Sequence, residues 1–246
     1  MKAFISSRTK CEVYNKAATI FDIADTVAEC DVVITIGGDG TILRAGGMAA
    51  LHRKPLLGIN TGRLGFMATL EANELHKLVL LTHGKYSTSR RMLLDVQVAD
   101  KAYTALNDVV LHREAASHLS EVAVSRGETE VLRLRADGIV VATPTGSTAY
   151  SLSAGGPIIE PELECFVATA ICPHCLFSRP MVFTASEPLR VSASESRLSI
   201  DGAEIREFES GGEVIITKSE HYLELIDIDG NSFYNSIHNK LMRSLK

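Results

Sequence analysis

The chain of 246 residues contains no apolar run that approaches the roughly 18 residues of a membrane-spanning helix. Its first twenty residues are broken by Arg8, Lys10, Glu12 and Lys16, so they form no secretory apolar core, and a cytoplasmic location is expected. Cysteine is scarce: five residues, an odd number, suit reduced thiols better than a disulfide framework. Lys and Arg are outnumbered by Asp and Glu, 25 to 30, which argues against a large nucleic-acid-binding face. There is no internal repeat or low-complexity tract, and 46% apolar with 22% charged residues excludes disordered, collagen-like and coiled-coil chains. The charge is unevenly placed. Residues 1–91 hold 12 Lys and Arg against 8 Asp and Glu, whereas residues 92–246 hold 13 against 22. The basic part suits a small anion; the acidic part resists polyanions.

At roughly 150 residues per domain, the length falls between one domain and two. Val13, Ala17, Ile20, Ala24 and Val27 recur at helical spacing and predict a helix across that stretch. Residues 32–36 form a β-branched run ending in Gly37-Gly38, the pattern of a strand buried on both faces of a parallel sheet. A helix over residues 41–53, weakened by Gly46-Gly47, and a second buried strand over 55–60 complete a βαβ unit. Residues 71–81 predict one more helix. From about residue 90 the period drops to two: Met92, Leu94, Val96 and Val98 alternate, and short β-rich runs follow at 121–125, 131–134, 139–142, 181–184, 198–200, 214–217 and 222–228. The expected architecture is an α/β phosphate-binding domain over residues 1–88 and an all-β, sandwich-like domain over 89–230. A C-terminal segment, 231–246, is expected to pack back on the first domain.

Gly37-Gly38-Asp39-Gly40-Thr41 stands where a buried strand hands over to a helix, the place where ligands bind in open α/β sheets. Glycines let the backbone approach a phosphate, and the helix start offers unpaired N–H groups. No Gly-Lys-Ser or Gly-Lys-Thr follows, so this is not a Walker loop. An acidic residue inside a phosphate cradle would repel its ligand unless it serves chemistry or a metal; the competing reading is a tight turn capped by Asp39. A second cluster follows the strand that begins near Asp137. Of the eleven residues from Thr143 to Ser153, seven carry hydroxyls, with Pro144 and Gly146 shaping the bend. That density suits a polyhydroxylated, phosphorylated ligand, or equally a connection whose hydroxyls satisfy their own backbone.

These motifs resemble, in order, those of the NAD kinase family. They are Gly37 to Thr41; Gly58-Ile59-Asn60-Thr61-Gly62-Arg63-Leu64-Gly65-Phe66; Asn107-Asp108; the Thr143 to Ser153 run with Ala154-Gly155-Gly156-Pro157; and Cys172-Pro173-His174 with Ser178-Arg179-Pro180. Gly-Gly-Asp-Gly-Thr alone is shared with diacylglycerol and sphingosine kinases; the other motifs are more specific. The resemblance implies transfer of the ATP γ-phosphoryl group to the 2′-hydroxyl of the adenosine ribose of NAD, with a divalent metal, Mg²⁺ above all. It makes Asp39 the general base, places Gly37, Gly38, Gly40, Thr41 and Arg44 on ATP phosphates, and sets Asp39, Gly40 and Arg44 beside the NAD as well. It puts Asn107 and Asp108 on the adenosine half of the dinucleotide, packs Phe66 on adenine, and assigns dinucleotide contacts to Thr145, Thr148, Ala149, Tyr150, Ser151, Leu152 and Ser153. His118, Arg135 and Asp137 fall where bacterial members touch the dinucleotide, some across a subunit interface, so a homodimer or homotetramer is implied. The partners are small molecules, with no nucleic acid and no membrane. A lipid or sphingoid-base kinase and a non-catalytic dinucleotide-binding regulator are the competing readings.

The chain departs from the family pattern at several places. Only 36 residues precede Gly37, which implies a trimmed amino-terminal layer. Asp108 stands where Glu is usual, Ala203 where many bacterial members carry Gln, and Cys175 where Ser is common. The last change creates Cys172-Pro173-His174-Cys175, on its face a redox dithiol, and with Cys165 a conceivable zinc set. Its position after a strand-like run, rather than at a helix start, favours incidental thiols.

Overall fold

A computed structural model describes residues 1–246 except 8, 10, 63–64, 115–117, 176–177, 229, 231–232, 235 and 239–246. The chain divides into two compact units, residues Met1–Arg91 with His221–Lys246, and Met92–Glu220. Among the described residues no helix is long and apolar enough to cross a membrane.

The first unit is α/β. Its elements are β1 (Lys2–Ser7), α1 (Glu12–Ala18), β2 (Asp22–Ile23), β3 (Val32–Gly37), α2 (Asp39–Leu51), β4 (Leu56–Asn60), β5 (Leu70–Glu71) and α3 (Val79–Thr82), with single 3₁₀ turns at Val27–Glu29 and Leu75–Leu78. The strands pair in parallel in the order β2, β1, β3, β4; Phe4 lies opposite Val33, and Val33 opposite Leu56. β3 is buried almost throughout, so apolar side chains leave both faces and both must be covered. Ala17, Leu75, Leu78 and Leu81 cover one face, against Val32, Ile34, Ile36, Leu57 and Ile59. Helix α2 turns Ile42, Ala45, Ala49 and Ala50 inward, and Gly58 lets it close on β4, since a Cβ there would overlap Ile42.

Two expectations for this unit are corrected. The helix predicted over 13–27 ends at Ala18, because Asp22 and Ile23 leave the helical path to pair with Lys2 and Ala3; that short strand is exposed, and Phe21 and Ala24 on either side of it are buried. The helix predicted over 71–81 shrinks to a 3₁₀ turn and the four residues of α3. Leu70 and Glu71 pair with Ile59 and Asn60, and the Glu71 carboxylate accepts Asn60 Nδ2–H at 3.2 Å, so the segment starts extended.

The second unit is antiparallel. It contains β7 (Lys101–Ala105), β8 (Asp108–Arg113), β9 (Ser120–Arg126), β10 (Thr129–Ala136), β11 (Gly138–Ala142), a short helix α4 (Tyr150–Ser153), β12 (Cys165–Ile171), β13 (Met181–Thr184), β14 (Leu189–Ala193), β15 (Ser196–Ile200) and β16 (Ala203–Ile205). Two further strands, β6 (Ser87–Val98) and β17 (Glu213–Asp227), are divided between the units at residues 91/92 and 220/221. One sheet has six strands in the order β13, β12, β11, β8, β15, β16; in the other, β10, β9 and β14 lead to the first part of β17. Val110, Val140, Ala142, Val167 and Ile171 form a core over which Ala154 and Ile159 pack. The expected β-rich span of 89–230 differs from this division at its end. Leu225 pairs with Leu56 and Ile226 joins the first unit's core, which draws residues 221–227 back into that unit. Of the C-terminal segment, residues 233–234 and 236–238 are described, as helix, and the rest of 231–246 lies outside the described residues.

Candidate functional site

In the first unit, the carboxyl ends of β1, β3 and β4 open into a cavity of about 670 Å³. Ser7, Gly37, Gly38, Gly40, Thr41 and Thr61 are among its lining residues. This volume falls within the range of small-molecule sites, and the position is the one that parallel sheets use for ligands. Gly37 is fixed by packing, because a Cβ there would overlap the Thr41 hydroxyl. Gly38 and Gly40 differ: an added Cβ would meet nothing within 4 Å, so their bareness serves no internal contact and leaves the backbone open to a ligand. Gly38 caps α2 without a side chain, and Thr41 N–H donates to the Gly38 carbonyl at 2.8 Å. Arg44 is exposed one turn further on, with Nη2 donating to Thr41 Oγ1 at 3.3 Å.

Asp39, in the first turn of α2, is not a turn cap. Its Oδ2 accepts the Phe66 backbone N–H at 2.7 Å and its Oδ1 that of Met67 at 3.2 Å. The backbone at Phe66 and Met67 is thereby clamped to the carboxylate, and Asn60, itself buried, accepts Gly62 N–H at 3.1 Å. Two donors leave a carboxylate with free lone pairs, so Asp39 is held in place yet able to accept a proton. Gly65 makes the approach possible, because a Cβ there would overlap the Asp39 carboxylate. Gly65→Ala is therefore expected to push the Asp39 carboxylate aside while leaving the helix content by circular dichroism unchanged. Arg63 and Leu64 lie outside the described residues.

In the second unit, Asp108 opens β8 and Asn107 directly precedes it, and both are buried. Asn107 Oδ1 is a buried oxygen with no hydrogen-bond partner, as is Thr145 Oγ1. Buried acceptors of this kind carry a desolvation penalty that a ligand's donors would relieve. The two residues belong to one packed feature: the Asn107 carbonyl accepts Thr143 N–H at 2.8 Å, and a Cβ on Gly146 would overlap that carbonyl. Burial, reinforced by the negative charge of Asp201, pushes the Asp108 carboxyl up to about 7. Asp201, absent from the expected site, accepts the backbone N–H groups of Leu106, Asn107 and Asp108 at 2.8, 2.8 and 3.1 Å. Its carboxyl is also raised by burial, against the lowering effect of those three donors.

The hydroxyl-rich run divides between the two readings of it. Thr143 Oγ1 donates to the Leu106 carbonyl, Ser147 Oγ to that of Pro144, and Thr148 Oγ1 to that of Thr145, while Ser151 Oγ bonds Thr169 Oγ1. Those four build the bend. Thr145 retains its unpartnered oxygen, while Tyr150, Leu152 and Ser153 are exposed on α4 and Ala149 is half-buried. Of the outlying residues, Asp137 pairs with Arg113 Nε at 3.0 Å, and His118 and Arg135 are exposed. The Arg135 carbonyl accepts His174 N–H at 2.8 Å. Cys172 and Cys175 are free and exposed and Cys165 is buried in β12; among the described residues no three His, Cys, Asp or Glu side chains gather as a metal would require.

Comparison with known proteins agrees with this geometry. The ATP-NAD kinase N-terminal domain matches residues 5–86, and the ATP-NAD kinase C-terminal domain matches residues 106–228. The chain is 42% identical to the NAD kinase of Symbiobacterium thermophilum, covering 87% of this chain and 79% of the relative. It is 34% identical to the NAD kinase of Caldanaerobacter subterraneus, covering 98% and 87%. Among solved structures, yeast NADH kinase complexed with NADH superposes with a TM-score of 0.88 at 25% identity, covering 98% of this chain and 87% of that one. An NAD kinase from Archaeoglobus fulgidus in complex with ATP gives 0.81 at 27%, covering 98% and 99%. Two domain matches in the right order, relatives 34% and 42% identical along most of their length, and the α/β and β-sheet units together establish that the chain belongs to the NAD kinase family, phosphotransferases that act on an alcohol group.

Proposed function

We propose that ATP occupies the cavity at the carboxyl ends of β1, β3 and β4 and that Asp39 is the general base of the reaction. The observation that carries this reading is the Asp39 carboxylate, clamped by Phe66 and Met67 N–H between two glycines that border the cavity and have open space above them. The 2′-oxygen of the NAD adenosine ribose attacks the γ-phosphorus, the bond from that phosphorus to the ADP oxygen breaks, and the ribose proton passes to Asp39. A hydroxyl is a poor nucleophile at neutral pH, so the held carboxylate acts as the oxygen–phosphorus bond forms. The remaining work is positioning and charge neutralisation. Gly37, Gly38, Gly40, Thr41 and Arg44 hold the donor's phosphates.

Ser7, Glu12 and Thr41 border the cavity with oxygens, a sparse donor set that fits a hard divalent cation carried largely on phosphate and water. Held by those oxygens and by the donor's phosphates, Mg²⁺ would neutralise phosphate charge. In the second unit the dinucleotide reading is supported by Asn107 Oδ1 and Thr145 Oγ1, with Asp108, Thr148, Ala149, Tyr150, Ser151, Leu152 and Ser153 beside them in the same two segments. Phe66, half-buried in the first unit, is assigned to adenine. The exposure of His118 and Arg135 suits contacts from a second copy, in a cytoplasmic homodimer or homotetramer. Light scattering after gel filtration reads the copy number directly.

The test is to incubate purified protein with ATP, Mg²⁺ and NAD and to follow NADP with an NADP-specific dehydrogenase. NADP should accumulate in step with ATP consumption. Its absence under several divalent metals would overturn the reading, and phosphorylation of a sphingoid base in its place would favour the lipid-kinase alternative.

A further inference from the structure

Asp201 and Gly202 join β15 to β16, with φ of +48° and +78°. Two left-handed residues in succession make the turn that a two-residue antiparallel hairpin prefers, and Asp-Gly is a common choice for it. Turn formation by itself asks nothing of the Asp201 carboxylate. Yet that carboxylate reaches back and accepts three consecutive backbone N–H groups, of Leu106, Asn107 and Asp108. The Asp201 N–H in turn donates to the Asp108 carbonyl at 3.0 Å. Four hydrogen bonds thus tie one turn residue to the segment that carries the unpartnered Asn107 oxygen. From there the linkage continues, since Asn107 seats Thr143 and Gly146 and so sets the place of Thr145.

We propose that Asp201 is a positioning residue for the dinucleotide: by gripping the backbone at residues 106–108 it fixes where the Asn107 side chain and the Asp108 carboxyl present themselves to NAD. A buried carboxylate is costly in a hairpin turn unless its donors are matched to it, and here they are, by a single segment that precedes a binding strand. The inference rests on the assignment of Asn107 and Asp108 to the dinucleotide. It makes Asp201 govern affinity for NAD, not the handling of ATP or the phosphoryl-transfer step.

Asp201→Gly separates the two roles, because glycine keeps both left-handed turn positions while removing the carboxylate. The expected result is a KM for NAD raised about tenfold or more, with kcat and KM for ATP within about twofold of the parent. Asp201→Asn, which keeps one acceptor oxygen, should fall between glycine and the parent, and it decides the question should the glycine variant fold poorly. Asn107→Ala serves as the reference for the site itself. Should it leave KM for NAD unchanged, the dinucleotide assignment fails and the proposal with it. A raised KM in Asn107→Ala alongside parental values in both Asp201 variants would overturn the role of Asp201 alone. Equal losses in kcat and in both KM values would reduce Asp201 to a residue of general stability and likewise overturn the proposal.

Discussion

Asp39→Asn is expected to lower kcat by about 10² to 10⁴-fold, the usual share of a general base, while KM for NAD changes little. The substitution preserves size and one acceptor oxygen. What it removes is the capacity to take the ribose proton, since an amide oxygen is far too weak a base at neutral pH. It also turns an NH₂ group toward one of the two backbone N–H donors that now meet a carboxylate, Phe66 or Met67. Loop displacement would therefore add to the loss, and Gly65→Ala measures that part separately, because there the carboxylate is kept but moved. The steady-state assay with coupled NADP detection is sufficient. Activity within about tenfold of the parent would remove Asp39 from the mechanism.

The second large effect concerns stability. Burial first, then the Asp201 charge, raise the Asp108 carboxyl from an ordinary 3.8 to about 7. In the unfolded chain the group ionises freely, so the native state holds its proton more tightly. The stabilising contribution is fully present below about pH 4 and is lost as pH rises through about 7. Roughly three units correspond to up to about 4 kcal/mol at about 1.4 kcal/mol each. Asp108→Asn does not titrate and escapes that loss. Its urea midpoint should match the parent's near pH 4 and exceed it increasingly toward pH 8. A difference that stays constant across that range would show that Asp108 is not a raised acid. The same experiment carries a cost in function, because the variant is expected to bind NAD less tightly while being the more stable protein.

How far the fold and the site could be read from the residues depends on what each element's formation needs. The β3 run and the Gly37 to Thr41 motif were legible because both are local: β-branched residues followed by glycines permit little else than a buried strand and a tight handover to a helix. The alternation from Met92 onward was legible for the same reason. β1 was not, since Lys2–Ser7 is a strand only because β2 and β3 flank it on either side. The helical spacing from Val13 to Val27 misled because Asp22 and Ile23 pair with Lys2 and Ala3, which stops the helix and leaves Ile20 exposed while Phe21, Ala24 and Val27 are buried outside it. In the site, the identities of Asp39, Asn107 and Thr145 stood out in the motifs. Asp201 did not, because Asp-Gly is ordinary hairpin chemistry and only the fold brings its carboxylate to residues about 95 positions earlier.

Residue order alone is enough to specify the kind of protein this is: an α/β part with a glycine-rich turn and an acid in it, a β-rich part with a hydroxyl-rich bend, and motifs in one order. These depend on neighbours along the chain, whose propensities and spacing act over a few residues. Packing of the folded chain sets which groups are available. It assigned four of the seven hydroxyls to internal partners and left the Thr145 and Asn107 oxygens without any. It placed Phe66 and Met67 N–H on Asp39, and Asp201 under Asn107. Hydrogen-bond saturation and burial are sums over all atoms within a few ångströms, whatever their separation along the chain, so they exist only once the chain has folded.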